Sequence, residues 1–208
     1  MPTLFFHAGA CSLAPHIALE WIGAPYQAVP VEFGSPELLA VNPAGAVPAL
    51  REDDGWLLTQ CGAILHHLAR IHPEAGLGGG DDPRAQADLD RWSSFFTGDL
   101  HPAFFPLFMP QRYTTSREKA DLEAVQEAGR KLVRRKLALL DDHLKGREWV
   151  LAQRSVIDAY AFPMIRWAAK LLPEGISGWA NVTALHDRIA ADPAVQKVLA
   201  HEEGPKGE

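Results

Sequence analysis

A turn-rich segment, Gly76-Leu77-Gly78-Gly79-Gly80-Asp81-Asp82-Pro83, divides the chain into two stretches of very different charge. Residues 1–80 contain two basic and seven acidic side chains, whereas the remaining 128 residues contain 18 basic and 19 acidic ones. Few charges are typical of a layered fold with buried strands, and many charges are typical of amphipathic helices with solvated faces. Because Pro83 suits the first turn of a new helix, the sequence predicts two domains, at residues 1–76 and 83–208.

The first stretch alternates between strand and helix patterns. Short apolar runs at 4–6 and 26–31 predict strands, and Pro30 places the second strand at a sheet edge. Two further strands, at 46–50 and 56–59, flank the hairpin signal Asp54-Gly55. Helical periodicity fills the segments between them. Sheet neighbours joined through a helix should run parallel, so the pattern predicts a mixed four-stranded sheet of α/β type.

The second stretch has helical periodicity and no convincing strand. A helix is predicted from residue 84 to 96 and beyond, with its end broken or bent by Pro102, Pro106 and Pro110. A long amphipathic helix is predicted over 121–144, and two shorter helices near 181–191 and 194–201. Ser155 and Asp158 have the spacing of a capping box, followed by a helix rich in apolar and aromatic residues. The second domain is therefore expected to be all-helical.

Composition narrows the class of protein. Hydrophobic residues make up 47% of the chain and the net charge is −6, which disfavours both disorder and a nucleic-acid-coating role. No apolar run approaches the length of a membrane span, and the N-terminal residues lack the pattern of a secretory signal. Two cysteines are too few for a disulfide framework, so a cytoplasmic location is expected.

Several spaced motifs give the chain a family resemblance. They include Ala8-Gly9-Ala10-Cys11-Ser12-Leu13-Ala14-Pro15, Val41-Asn42-Pro43-Ala44-Gly45-Ala46-Val47-Pro48, Asp99-Leu100-His101-Pro102 and Ser155-x-x-Asp158-Ala159-Tyr160. In this order they resemble the cytosolic glutathione S-transferases, in particular the bacterial beta class. The resemblance implies a thioredoxin-like N-terminal domain that binds glutathione, an all-helical domain that contributes the electrophile pocket, and a homodimer.

Cys11 is the first candidate catalytic residue. It lies between a predicted strand and a predicted helix, where free N–H groups and the helix dipole favour a thiolate. The resemblance implies that Cys11 faces the sulfur of glutathione. Phe5 and Phe6 have no hydroxyl, which excludes assistance by a tyrosine of the first strand, whereas Ser12 stays open as an alternative to Cys11.

Val47, Pro48, Gln60 and Cys61 are the candidate glutathione-binding residues. The resemblance implies a cis bond between Val47 and Pro48 and pairing of the Val47 backbone with the cysteinyl part of glutathione. It also places the γ-glutamyl group at Gln60 and Cys61, where the start of a predicted helix suits a carboxylate. The chain departs from the beta-class pattern at Gln60 and Cys61, and again at Ser94 and Pro102.

His101 is the second candidate catalytic residue. In the resembled class a histidine of this motif approaches the catalytic cysteine and the glutathione sulfur. As an imidazolium it would stabilise a thiolate, and as a neutral imidazole it would accept a proton. An apolar cluster follows it, for which both a core role and a role in lining the electrophile pocket stay open: Phe104, Phe105, Leu107, Phe108 and Met109, with Trp167 as a further candidate.

The sequence therefore predicts a glutathione transferase that acts on small apolar electrophiles. Two alternatives stay open, a glutathione-dependent thiol–disulfide or peroxide reductase that uses Cys11 and a non-catalytic protein that binds apolar ligands. The histidines and cysteines have no spacing typical of a zinc site, so no metal is expected. The resemblance places Cys11 and Cys61 at opposite ends of the glutathione site, so no disulfide between them is expected.

Overall fold

The computed structural model describes residues 1–204, so the last four residues of the predicted second domain lie outside the described part. The first part of the chain has four strands and three helices: β1 (Thr3–Phe6), α1 (Leu13–Ile22), β2 (Gln27–Pro30), α2 (Pro36–Val41), β3 (Ala49–Arg51), β4 (Leu57–Thr59) and α3 (Cys61–Ile71). The remainder is helical, with α4 (Pro83–Ser94), α5 (His101–Ala103), α6 (Phe105–Phe108), α7 (Lys119–His143), α8 (Val156–Leu171), α9 (Ala180–Ala190) and α10 (Pro193–Glu203). A thioredoxin-like sheet domain followed by helices confirms the predicted fold class.

The sheet has the strand order β2-β1-β3-β4. β1 and β2 are joined through α1 and run parallel, as predicted, and Pro30 lies in an edge strand. The rule that neighbouring strands joined through a helix run parallel does not apply to β2 and β3, which are joined through α2 but are not neighbours in the sheet. β3 instead pairs antiparallel with β1. The β3–β4 hairpin is antiparallel, as predicted.

A π-helical turn, Phe95–Leu100, joins α4 to α5, so the helix continues beyond Phe96, as predicted. Turns of this kind insert an extra residue per turn and often occur at functional sites. His101 follows this turn directly. Pro102 is tolerated there because the first residues of a helix need no N–H donor.

α8 is the central helix of the molecule. Its predicted capping box is present: the Ser155 side chain caps the helix start, and Asp158 accepts bonds from the N–H groups of Ser155 and Val150. α1 packs against α8, so one continuous core includes side chains from both stretches of the chain. The boundary between residues 76 and 83 therefore stays a prediction. No helix among residues 1–204 is long and apolar enough to cross a bilayer.

Candidate functional site

The Cys11 side chain lies in the loop between β1 and α1 and is largely buried. Its thiol donates to the carbonyl oxygen of Val47, with the sulfur 3.5 Å from that oxygen. The loop is held by Ser12, whose fully buried hydroxyl accepts from the N–H of His7 (3.1 Å) and donates to its carbonyl (3.2 Å). Since Ser12 is engaged inside the loop, the geometry favours Cys11 as the residue that faces a sulfur ligand.

The Val47–Pro48 peptide bond is cis, as predicted. Val47 precedes β3, whose ladder begins with the pairing of Ala49 with Phe5 and Thr59. The backbone of Val47 therefore lies outside the sheet ladder and beside the Cys11 thiol. This arrangement places a thiol next to backbone groups that are not used by the sheet.

Gln60 has a strained backbone at the start of α3. Its φ is +72°, and it is the one non-glycine residue among residues 1–204 with a positive φ. Such conformations cost about 1–3 kcal/mol and cluster at ligand sites. α3 begins at the next residue, so its free N–H groups and positive dipole end lie beside Gln60.

Cys61 lies beside Cys11, and the expectation that the two thiols occupy opposite ends of the site is wrong. The sulfur of Cys61 is 3.6 Å from the carbonyl oxygen of Cys11, to which its S–H donates. The turn at Gln60 causes this, because α3 starts at Cys61 and packs directly against α1. Both cysteines are buried free thiols. Burial raises the pKa of Cys61 well above its usual value, and the neighbouring Cys11 raises it further.

Tyr160 of α8 connects Cys61 to His101. Its hydroxyl oxygen lies 2.9 Å from Nδ1 of His101. The Tyr160 side chain also interacts with Cys61 and lowers the pKa of that thiol. Tyr160 is almost fully buried, and burial raises its own pKa far above the usual value. Four of the predicted site residues, Val47, Cys11, Cys61 and His101, are thus connected, the last two of them through Tyr160.

Comparison with known proteins agrees with this geometry. A family model described as glutathione S-transferase, N-terminal domain, matches residues 6–76, and one described as glutathione S-transferase, C-terminal domain, matches residues 99–193. The glutathione S-transferase GST-4.5 of Xanthomonas campestris pv. campestris is 40% identical over 203 residues, covering 96% of this chain and 98% of that protein. The chain belongs to the glutathione S-transferase family.

Solved structures place it beside bacterial members of that family. A glutathione S-transferase from Xylella fastidiosa has a TM-score of 0.90 and 36% identity, covering 98% of this chain and 99% of that chain. A bacterial beta-class glutathione S-transferase from Sphingomonas chungbukensis has a TM-score of 0.86 and 36% identity, over 96% and 98% of the two chains. A sphingomonad glutathione S-transferase, complexed with glutathione, has a TM-score of 0.85 and 36% identity, over 97% and 98%.

His101 is electrically neutral at physiological pH in this family member. Burial lowers its pKa to about 4, so of the two roles expected from the sequence the imidazolium is excluded near pH 7. Its Nδ1 is occupied by Tyr160, and its ring lies against Phe105 and Trp167 with centroids 5.2 Å away in each case. The structure therefore connects His101 to the thiols through Tyr160.

Trp167 joins α8 to the loop that carries Cys11. Its indole N–H donates to the carbonyl oxygen of Gly9 at 2.8 Å. The ring of the exposed Phe108 lies 5.0 Å from the Trp167 ring, edge to face. Phe104 and Leu107 are buried in the core. Phe105 is partly buried against His101, and Phe108 is exposed and lies against Trp167. The apolar cluster thus divides between a core role and a place beside His101.

Tyr160 is the functional candidate that sequence reasoning did not assign. It belongs to the motif that begins at Ser155, so a signal was present. A buried tyrosine on an apolar helix nevertheless has the pattern of a core residue, and only the fold brings its hydroxyl to Cys61. Among residues 1–204, no group of histidine, cysteine and acidic side chains is arranged to hold a metal ion.

Proposed function

We propose that this chain joins the sulfur of glutathione to small apolar electrophiles. The observation that carries the proposal is the Cys11 thiol, 3.5 Å from the Val47 carbonyl and beside the cis Val47–Pro48 bond. A tripeptide that paired with Val47 would bring its own thiol to Cys11. The relatives named as glutathione S-transferases, and the sphingomonad protein complexed with glutathione, support this assignment.

Four residues would bind the tripeptide. The backbone N–H and C=O of Val47, oriented by Pro48, would pair with its cysteinyl residue. The γ-glutamyl carboxylate would lie at the N-terminal end of α3, where the N–H of Cys61 and the helix dipole attract an anion. The amide side chain of Gln60 would bond the same group.

Cys11 would be the catalytic residue that touches the glutathione sulfur. Its thiol would donate a hydrogen bond to the glutathione thiolate, which favours the charged form. That thiolate would attack the electrophilic carbon and form a C–S bond, while the electron pair of the broken bond leaves with the departing group. His101 acts through Tyr160 and is therefore a positioning residue in this scheme.

The electrophile would lie against an aromatic wall formed by Phe105, Phe108 and Trp167. Phe105 and Trp167 lie against His101, and Phe108 lies against Trp167, whose indole N–H donates to Gly9 in the loop that carries Cys11. Aromatic faces bury much apolar area at little cost in conformational entropy, so they suit small apolar substrates.

We further propose a cytoplasmic homodimer that acts in detoxification. An open groove of about 610 Å³ runs between α3 and α4, and Gly62, Ser93 and Thr97 lie along it. The Nε2 atom of His66, also in this groove, is buried without a partner within residues 1–204. A second copy that set its helical half against this face would cover both features.

Calorimetry with reduced glutathione tests the binding site directly. We expect the wild type to bind in the micromolar to low-millimolar range, and Cys11→Ala to change the affinity because it removes a sulfur contact. Turnover of an aryl chloride with glutathione tests the reaction itself. Glutathione binding without turnover would support the alternative of a binding protein, and no binding would overturn the proposal.

A further inference from the structure

The two cysteines of the chain occupy one buried position between β1, α3 and α8. Cys61 Sγ lies 3.6 Å from the carbonyl oxygen of Cys11, and the Cys11 side chain is close enough to raise the pKa of the Cys61 thiol. Cys11 and Cys61 are 8% and 5% exposed, so both thiols are largely shielded from solvent. The mechanism proposed above uses the sulfur of Cys11 and the backbone of Cys61, and leaves the second thiol without a role.

The buried Cys61 thiol has partners on two elements. Its S–H donates to the carbonyl oxygen of Cys11, and Tyr160 of α8 interacts with the same thiol and lowers its pKa. The Tyr160 hydroxyl is in turn bonded to His101, which fixes its direction. Cys61 is therefore held against Cys11 by groups from the other half of the chain.

We propose that Cys11 and Cys61 form a dithiol redox pair, in which Cys61 resolves a mixed disulfide between Cys11 and glutathione. This inference rests on the proposed glutathione site, since the same cleft would admit oxidised glutathione. It adds a second reaction to conjugation, the reduction of glutathione-containing disulfides by two electrons from the protein.

The reaction balances with oxidised glutathione as the oxidant. The Cys11 thiolate attacks one sulfur of oxidised glutathione, a Cys11–glutathione disulfide forms, and one glutathione thiolate leaves. The Cys61 thiolate then attacks the Cys11 sulfur, and a second glutathione thiolate leaves. Two protein thiols lose two electrons and two protons, the oxidant becomes two molecules of glutathione, and a Cys11–Cys61 disulfide is formed.

Formation of the mixed disulfide removes two of the causes that raise the pKa of Cys61, whereas burial, the largest cause, remains. Besides burial, two effects of Cys11 raise the Cys61 pKa: the hydrogen bond to the Cys11 sulfur and the charge of a Cys11 thiolate. Both disappear once Cys11 is in a mixed disulfide, because that sulfur is then neutral and no longer a strong acceptor. The bond from Tyr160, which lowers the pKa, remains.

Mass spectrometry after incubation with oxidised glutathione tests the pair. The wild type should lose the mass of two hydrogen atoms, and proteolysis without reductant should give a peptide pair linked through Cys11 and Cys61. Cys61→Ser and Cys61→Ala should instead retain one glutathionyl group at Cys11. Since an intramolecular thiol competes at an effective concentration in the millimolar range, we expect at least about tenfold more of this adduct in both variants than in the wild type.

The controls separate this inference from the proposed function. A stable glutathionyl adduct on the wild type, at the level of the two variants, would overturn the redox pair and leave the glutathione site intact. Hydroxyethyl disulfide, which needs no tripeptide site, should also convert the wild type to the Cys11–Cys61 disulfide. If it does so while glutathione fails to bind in calorimetry, the pair stands and the proposed function fails. A chain that stays fully reduced with both reagents overturns the pair.

Discussion

Nδ1 of His101 lies 2.9 Å from the hydroxyl oxygen of Tyr160, and this bond joins the helix after the π turn to the central helix α8. The Tyr160 side chain also interacts with Cys61 and lowers the pKa of that thiol. Because His101 is neutral at pH 7, its Nδ1 completes the bond to the Tyr160 hydroxyl either as donor or as acceptor. Tyr160 is therefore the link between the histidine and Cys61.

Replacing Tyr160 with Phe tests that link. The change removes one hydroxyl and leaves Nδ1 of the partly buried His101 without its hydrogen-bond partner, so we expect the free energy of unfolding to fall by about 1–3 kcal/mol. Loss of this hydrogen bond, worth about 1 kcal/mol, would also leave His101 and Cys61 less well positioned. We therefore expect kcat/KM for conjugation to fall about tenfold. Denaturant unfolding and steady-state kinetics measure the two effects.

Tyr113→Phe is the matched control for that substitution. Tyr113 is 51% exposed and lies outside the site, so the loss of its hydroxyl should leave both quantities nearly unchanged. If Tyr160→Phe and Tyr113→Phe had the same free energy of unfolding and the same kcat/KM, the Tyr160 hydroxyl would have no role in positioning His101.

The burial of His101 predicts a dependence of stability on pH. The folded chain binds a proton on His101 only near pH 4, whereas the unfolded chain does so near pH 6.5. The unfolded state therefore holds more protons between these values, so this contribution is complete above about pH 6.5 and is lost as the pH falls towards 4. Two and a half pKa units correspond to about 3 kcal/mol in full, of which about 2 kcal/mol is lost by pH 5.

Denaturant unfolding of the wild type and of His101→Gln at pH 7.5 and pH 5 isolates this effect from that of other groups. We expect the wild type to lose about 2 kcal/mol more than the variant between the two pH values. A wild type and a variant with the same loss would place the His101 pKa near its ordinary value.

The cis bond between Val47 and Pro48 was predictable from the family motif, because a proline just before a strand does not by itself indicate a cis peptide bond. For Cys11, the place between a strand and a helix is a local signal that the same family motif reinforces. The contact of Cys11 with Cys61 was not predictable in this way. It depends on the backbone at Gln60, where a residue other than glycine adopts a positive φ that no sequence pattern announces.

The direction of β3 shows a similar limit at the level of the fold. Local patterns predicted β3 and the helix before it, but its place in the sheet depends on which strand has a free edge. β2 is held at one edge by its parallel pairing with β1, and β3 joins the other side of β1. The hydrophobic pattern of β3 does not indicate which strand it pairs with, because the same β3 residues would be buried beside either neighbour.

The loop that carries Cys11 is also hydrogen-bonded to α10, and the variant Glu202→Gln tests whether this contact restrains the loop. Glu202 binds Nδ1 of the buried His16 at 2.9 Å and accepts the N–H of Gly9 at 3.4 Å. Both side chains are at most 4% exposed. Loss of the charge weakens both hydrogen bonds, of which the one to His16 is partly buried, so we expect the free energy of unfolding to fall by about 1–3 kcal/mol. Hydrogen exchange at the Gly9 amide should become faster.

Glu123→Gln is the control for the loss of a carboxylate. Glu123 pairs with Lys119 on the surface of α7, where both side chains are mostly exposed, so the cost should stay below about 0.5 kcal/mol. If hydrogen exchange at the Gly9 amide were equally fast in Glu202→Gln and in the wild type, α10 would not restrain this loop.

Gly129 of α7 lies where another helix approaches too closely for a side chain. A Cβ added there would be 3.0 Å from the Cβ of Pro106 and would overlap the end of the Leu107 side chain. The ring of Pro106 cannot rotate away, so α6 must move, and we expect Gly129→Ala to lower the free energy of unfolding by about 1–3 kcal/mol. α6 carries Phe105 and Phe108, so KM for an apolar electrophile should rise as well.

Gly98→Ala is the control: it makes the same chemical change in a helical turn where an added Cβ would meet nothing within 4 Å, and it should raise the free energy of unfolding by up to about 1 kcal/mol. Thermal unfolding and electrophile kinetics of both variants decide the matter: a similar rise in stability at both glycines would mean that α6 and α7 do not pack at this distance.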